Sequence, residues 1–329
     1  MRAWRVHELG DPEKVMSLEE IEPPVPGAGQ VLLEVEAAAL NFPDILVCQG
    51  RYQERADLPF TPGIELVGRV IDHGPGGSNL ELGQRVIGLA AFGTGSLAEQ
   101  SLADTSGVFP VPDDFLSVRA AAVHVAYQTG YLALHRRAGL RAGETLLVHA
   151  AAGGVGSAAV QLGLAAGARV IATAGGPEKV EVCRRLGAHL AIDYTAGDFV
   201  GAVKEATDGR GADVIYDPVG GEVFDRSRRC VAFEGRILVV GFTSGRIADA
   251  PTNHALVKNY SVVGVHWGLY GRVMPEMHGQ IHQELLRLHA AGHVDPLISS
   301  VVPLEEAVAG LVALGSRKTY GRVLCDPRR

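Results

Sequence analysis

The segment that most constrains this chain is Leu147-Val148-His149-Ala150-Ala151-Ala152-Gly153-Gly154-Val155-Gly156. It follows an apolar run that begins at Thr145 and opens a second apolar stretch that continues to Ala168. Read against the dinucleotide fingerprint G-x-G-x-x-G, it supplies Ala151, Gly153 and Gly156. In that fingerprint the middle glycine lets backbone approach a pyrophosphate, and the last lets the helix pack close to the strand. The helix start then offers free N–H groups and the positive end of its dipole to phosphate. Ala151 departs from the pattern at the tight-turn glycine, so a turn that serves packing alone stays open.

From Thr145 onward apolar strands alternate with helical stretches. Strands read at Thr145–His149, Arg169–Ala174, His189–Tyr194, Asp213–Asp217, Arg236–Gly241 and Ser261–Val265. Helices fit between most of them, as at Pro177–Leu186 and Phe199–Thr207. This rhythm predicts an α/β doubly wound parallel sheet. The first 120 residues are instead β-rich, with strands at Gln30–Leu40, Glu65–His73 and Gln84–Leu89 and turns such as Gly74-Pro75-Gly76-Gly77. One long helix is expected from Ser117, as its cap, to Arg137. Helices near Pro275–Ala291 and Leu304–Leu314 and a strand at Gly321–Cys325 close the chain. A nucleotide domain over 121–266 is therefore expected to be inserted into a second domain built from 1–120 and 267–329.

Net charge is −7, with no basic run, which argues against a nucleic-acid surface or a membrane-facing patch. The four cysteines, Cys48, Cys183, Cys230 and Cys325, form no C-x-x-C pair, so neither a disulfide framework nor a cysteine zinc lobe is expected. Thr145–Ala168 is of membrane-spanning length and lacks Lys, Arg, Asp and Glu, yet its glycines with His149 and Gln161 suit a buried strand–turn–helix better. The opening residues hold no apolar signal core, and a cytoplasmic protein is expected.

An NAD-selective site places Asp or Glu about 20 residues beyond the glycine turn, on the ribose hydroxyl. Here the second strand ends Ala172-Thr173-Ala174-Gly175-Gly176 with no acid, and Lys179 follows on the next helix, beside Glu178. Lys179 is either a ligand for a 2′-phosphate or an ordinary surface lysine; the missing acid favours NADPH.

At this point the chain resembles the zinc-independent quinone oxidoreductases, relatives of zeta-crystallin in the medium-chain dehydrogenase/reductase superfamily. The resemblance spans nearly the whole length. It rests on Leu40-Asn41-Phe42-Pro43-Asp44, Gly50-Arg51-Tyr52, Pro62-Gly63-Ile64-Glu65, the Ala150–Gly156 turn, Asp217-Pro218-Val219-Gly220-Gly221 and Ser316-Arg317-Lys318-Thr319-Tyr320-Gly321. It implies a Rossmann domain inserted into a GroES-like catalytic domain, with NADPH in the cleft between them. It also implies Thr129 near the nicotinamide, Lys179 and Tyr194 at the adenosine end, Phe242 and Ser244 against the cofactor, and Arg317 reaching its phosphates. Ala152, Gly153, Gly154, Val155, Gly156, Thr173, Gly241 and Trp267 complete the expected cofactor set.

Zinc-dependent relatives need three protein ligands with an open fourth position. Asn41 stands at the first ligand position and Ile64 replaces the histidine of Gly-His-Glu, so no metal is expected. His278, His282, His289 and His293 on or near the late helix are read as exposed histidines rather than ligands. Asn41, Asp44 and Tyr52 are the candidate catalytic residues. Asn41 would donate to a developing oxyanion, and Tyr52 would donate or relay a proton. Each has a plainer alternative: a turn residue for Asn41, a helix cap for Asp44, a packing aromatic for Tyr52. Three functions compete: reduction of a quinone, reduction of an enone or enoyl-thioester double bond, and NADPH binding with a non-catalytic, structural or RNA-associated role. A homodimer is expected through the apolar edge strand Ser261–Val265.

Overall fold

The computed structural model describes residues 1–329. Its strands are β1 Arg2–Val6, β2 Met16–Glu20, β3 Gln30–Leu40, β4 Glu65–His73, β5 Arg85–Leu89, β6 Gln100–Asp104, β7 Val108–Pro110, β8 Thr145–Val148, β9 Arg169–Ala174, β10 Leu190–Asp193, β11 Ala212–Asp217, β12 Val231–Val239, β13 Ser261–Gly264, β14 Ile298–Pro303 and β15 Arg322–Asp326. The chain divides into two compact units, one of residues 1–125 with 296–329 and one of residues 126–295.

In the nucleotide unit, residues 126–295, six strands pair in the order β10-β9-β8-β11-β12-β13, all parallel. This is the doubly wound Rossmann order, in which the sheet reverses direction of winding between β8 and β11. The strands read as apolar runs because helices cover both faces. Leu147, Ile171, Ile215 and Ile237 pack with Phe199, Val203 and Phe224 in one cluster. The segment Thr145–Ala168 is the expected strand, turn and helix, and no helix of the chain is long and apolar enough to cross a membrane.

The other unit is built on β3, which carries β4 on one side and, along its length, β15 and β6 on the other. The seven-stranded sheet is antiparallel except where β14 lies parallel to β15. Its core joins Val31, Leu33, Val35 and Leu40 of β3 to Leu304, Leu311 and Val323 near the other end of the chain. The helix Ala307–Gly315 lies so close that a Cβ at Gly310 would stand 2.5 Å from Leu40 Cδ1.

Three expectations are corrected. The boundary expected at 266 lies at 295. Residues 267–295 form helices Trp267–Val273 and Glu276–Ala290 and belong to the nucleotide unit. The Trp267 indole N–H donates to Gln128 Oε1 at 3.1 Å. Gln161 exchanges two 2.8 Å hydrogen bonds with the backbone of Asp295. Second, the helix expected from Ser117 to Arg137 breaks into Ser117–Ala121, His124–Tyr131 and a π-helical turn Leu132–Arg137. Ser117 lies inside the first piece and does not cap it, because its hydroxyl donates to the buried Glu36 carboxylate at 2.8 Å. Third, His278 and His282 are buried, not exposed. The His278 ring stacks on Trp267 with centroids 4.4 Å apart.

Trp267→Ala should cost about 3–5 kcal/mol, the usual consequence of emptying a buried aromatic site. Chemical denaturation of the parent and the variant measures it, and a loss below about 1 kcal/mol would contradict the packing described for residues 267–295.

Candidate active site

Within the nucleotide unit the candidate cofactor site lies at the carboxyl ends of the parallel strands, where open α/β sheets bind ligands. After β8 the chain turns through Ala150, which takes a left-handed φ of 48°, and Gly153 caps the helix Gly154–Ala165. The left-handed corner thus falls on Ala150, so Ala151, at the glycine position of the fingerprint, carries no such strain. Gly156 is required by contact: a Cβ there would stand 2.2 Å from Ala150 O and 2.8 Å from Ala151 Cα. The helical ladder begins with Ser157 N–H donating to Gly153 O at 2.8 Å. The N–H groups of Gly154, Val155 and Gly156 therefore have no acceptor within the helix, and Ala152 and Gly153 shape the backbone leading to them. This close-approach turn fits a pyrophosphate.

Two further loops follow β11 and β12. Asp217 Oδ1 accepts the N–H groups of Val219 and Gly220 at 2.8 and 2.9 Å, curling the chain tightly. Gly241–Ser244 lies against this curl, with Thr243 N–H donating to Pro218 O and Ser244 N–H to Val219 O. Phe242 is 41% exposed, and a Cβ at Gly220 would meet its ring at 2.9 Å. At the end of β9, Tyr194 places its hydroxyl beside Gly175, where an added Cβ would be 2.8 Å away. Lys179 is half-buried in the first turn of the helix Pro177–Arg185. These loops all follow the carboxyl ends of adjacent strands, β10, β9, β8, β11 and β12.

Other expected cofactor residues are placed differently. Thr173 is buried and its hydroxyl is bonded to His149 Nδ1 at 2.9 Å, so its side chain is not offered to a ligand. Trp267 is likewise withdrawn by Gln128 and His278. Thr129 is half-buried on the helix His124–Tyr131. Arg317, in the other unit, is exposed at a left-handed turn with φ of 59°.

In that other unit Asn41 caps the helix Phe42–Cys48. Its amide is fully engaged: Nδ2 donates to Ala39 O at 2.9 Å and to Glu65 Oε2 at 3.1 Å, and Oδ1 accepts from Arg322 Nη1 at 2.9 Å. The expectation that Asn41 donates to an oxyanion is therefore corrected, since both amide hydrogens are already committed. Asp44 Oδ2 accepts the Asn41 N–H at 2.7 Å and Oδ1 the Ile64 N–H at 3.1 Å, so it caps the helix and ties it to the start of β4. Burial pushes the Asp44 carboxyl up to about 7, against those two N–H groups, and the Glu65 charge adds to the rise.

Glu65 and Arg322 are functional-site residues that sequence reasoning passed over. Both are buried, and Arg322 Nη2 pairs with Glu65 Oε2. Glu65 Oε1 accepts the Val125 N–H at 2.7 Å, from the otherwise unsatisfied first turn of the helix His124–Tyr131. Burial presses the Glu65 carboxyl upward, and the Arg322 guanidinium opposes it. The sequence signal was the acid of Gly63-Ile64-Glu65, noted only for the missing histidine beside it.

Beside this network lies a pocket open to solvent, lined by Asp44, Thr61, Ile64, Ala90 and Phe92 among others. Gly63 holds its floor at φ 103°, where a Cβ would fall within 2.5 Å of Ser96 Oγ. Tyr52 packs against Val6, Val47, Cys48 and Phe60, of which Val47 and Phe60 also line the pocket.

Two outcomes follow. Arg322→Met leaves the buried Glu65 carboxylate without its counter-ion and should destabilise the fold by about 3–5 kcal/mol in chemical denaturation; a loss below about 1 kcal/mol would contradict the pairing. For Asp44 the folded-state carboxyl holds its proton to higher pH than the unfolded one, so folding is favoured at acid pH. That contribution is lost as pH rises from the ordinary value of 3.8 through about 7. In stability measured against pH, Asp44→Asn should remove this decline, and an unchanged slope would contradict it.

Residues 27–113 match the alcohol dehydrogenase GroES-like domain, and residues 154–283 match the zinc-binding dehydrogenase family. The chain is 37% identical to quinone oxidoreductase-like protein 2 of Bos taurus, across 98% of this chain and 92% of the relative. A crystal structure of Escherichia coli quinone oxidoreductase complexed with NADPH superposes with a TM-score of 0.91 at 28% identity, covering 99% of this chain and 100% of that one. The CurK enoyl reductase structure gives 0.87 at 26% identity over 99% and 98%. With its Rossmann sheet, its GroES-like unit and a relative this similar over nearly its whole length, the chain belongs to the quinone oxidoreductase family of the medium-chain dehydrogenase/reductase superfamily and is an oxidoreductase.

Proposed function

We propose that this protein is an NADPH-dependent, zinc-independent reductase of small electron-poor acceptors, quinones first among them. The observation that carries the reading is the close-approach turn at Ala150–Gly156 combined with a second strand that ends without an acid and is followed by Lys179. The turn's N–H groups would hold the pyrophosphate, and Lys179 with Tyr194 would hold the adenosine end, with the ammonium meeting the 2′-phosphate. Phe242, Ser244, Thr129 and Arg317 remain proposed cofactor contacts. NADPH supplies a hydride when bound.

The residues of the pocket do the rest. Ile64, Ala90 and Phe92 give it apolar walls that suit a flat acceptor. Asp44, whose carboxyl titrates near neutrality, is the lining group able to hold and release a proton there. Tyr52 stands behind the same wall as the proposed relay. Ile64 has no donor atom and the Asn41 amide is engaged, so the donor set suits no catalytic zinc. The likeness to the CurK enoyl reductase supports a second reading, reduction of an enone or enoyl thioester in the same pocket.

The test is NADPH oxidation over quinones, enones and enoyl-CoA esters, with and without a chelator. Turnover with quinones that survives chelation is expected. Turnover confined to enoyl esters would establish the second reading, and activity lost on chelation and restored by zinc would overturn zinc independence. Lys179→Ala should weaken NADPH about tenfold and leave NADH nearly unchanged; equal losses would remove Lys179 from the site.

A homodimer is part of this proposal. β13 is the sheet edge, with Val262 38% exposed and Leu256 and Val257 of the preceding helix more than three-quarters exposed. An apolar edge of this kind pairs with a second copy. Light scattering that showed a 34.7 kDa monomer at micromolar concentration would count against it.

A further inference from the structure

His149 is buried at the end of β8, and its ring joins two of the segments assigned to the cofactor. Nδ1 lies 2.9 Å from Thr173 Oγ1, at the end of β9, and Nε2 lies 2.8 Å from Ser227 Oγ. The directions of these bonds can be deduced. The Ser227 hydroxyl donates to Val223 O at 2.7 Å, a carbonyl that can only accept. Ser227 Oγ must therefore accept from His149, so Nε2 carries the hydrogen, and Nδ1 is left to accept the Thr173 hydroxyl. The ring is neutral: burial and the Arg226 charge press it down to about 3. Its face is closed by Phe199, edge-on at 4.9 Å, with the Arg226 guanidinium 4.5 Å from the Phe199 centroid.

Thr173 is thus held twice by the phosphate turn, through its hydroxyl on His149 and through its carbonyl, which accepts the Ala151 N–H at 3.0 Å. Beyond it, after Ala174, come Gly175 and Gly176, which lead into the helix of Lys179. We propose that His149 is a positioning residue for the cofactor, fixing through Thr173 the separation between the phosphate turn and the adenosine-binding end of β9. It touches no ligand itself. The assignment rests on the NADPH reading above.

The two ends of the ring can be cut separately. His149→Asn keeps an amide at the Nδ1 position and so preserves the Thr173 link while losing Ser227. His149→Gln reaches the Nε2 position and preserves Ser227 while losing Thr173. NADPH affinity is measured directly by fluorescence titration, alongside thermal stability and steady-state kinetics. Both variants should lose stability, as any change in a buried network does. Only His149→Gln should weaken NADPH, by about tenfold, the worth of one buried hydrogen bond, with KM raised and kcat at saturation little changed. Thr173→Val should reproduce that loss, and the His149→Gln/Thr173→Val double variant should add nothing further. Equal NADPH affinity in the Asn and Gln variants, or a loss confined to kcat, would overturn the assignment. If His149→Gln does not fold, Thr173→Val decides alone, unchanged affinity overturning the assignment and a tenfold loss upholding it. A parent protein that fails to bind NADPH would instead overturn the cofactor reading beneath it.

Discussion

The buried pair of Glu65 and Arg322 is the interaction on which the pocket depends. Two ions with almost no access to water persist only when each polar atom finds a partner. The surroundings meet most of that demand and leave Arg322 Nε without a partner: Asn41 bridges both ions, and the Val125 N–H donates to the second oxygen of Glu65. In satisfying the pair, the chain fixes three things at once. It orients the start of the helix Phe42–Cys48, it anchors β4, and it sets the first turn of the helix His124–Tyr131. Asp44, buried by the same arrangement and set near a second carboxylate, owes its raised affinity for a proton first to that burial and then to the Glu65 charge.

Much of the architecture could be read because it is written locally. An apolar run, a glycine turn and another apolar run specify β8 and its helix with no help from distant residues, and β3, β4 and β9 were bounded to the residue. That the second sheet is parallel and doubly wound followed from the alternation. What escaped depends on partners far away in sequence. The boundary at 295 is set by Trp267 on Gln128 and by Gln161 on Asp295, contacts across more than 130 residues. The helix pattern of 276–290 has no feature that says which unit it joins.

The site divides along the same line. The phosphate turn and the missing acid after β9 are short-range signals and were legible. Asn41 was misjudged because its type suits an oxyanion donor, whereas its amide is consumed by residues 24 and 281 positions away. Thr173 and Trp267 were misjudged in the same manner, as side chains in the right neighbourhood that face into protein. The burial of His149, His278 and His282 shows the general point: a histidine's surroundings, and hence its charge, are set by packing that its neighbours in sequence do not reveal.

The return of β15 to the middle of the first sheet has a further consequence, for the order in which the molecule can be made. On the ribosome, residues 1–125 emerge long before Arg322, yet β3 finds its β15 neighbour, and Glu65 its counter-ion, only after some two hundred further residues have emerged. The nucleotide unit, by contrast, is one continuous stretch whose parallel strands lie near in sequence. It can complete itself during synthesis, as contiguous domains do. The N-terminal residues must meanwhile wait with an acid unpaired and a strand uncovered, so their closure is a late, long-range step of the kind that slows folding. A nascent chain halted before residue 322 would thus present a finished dinucleotide fold beside an unfinished pocket.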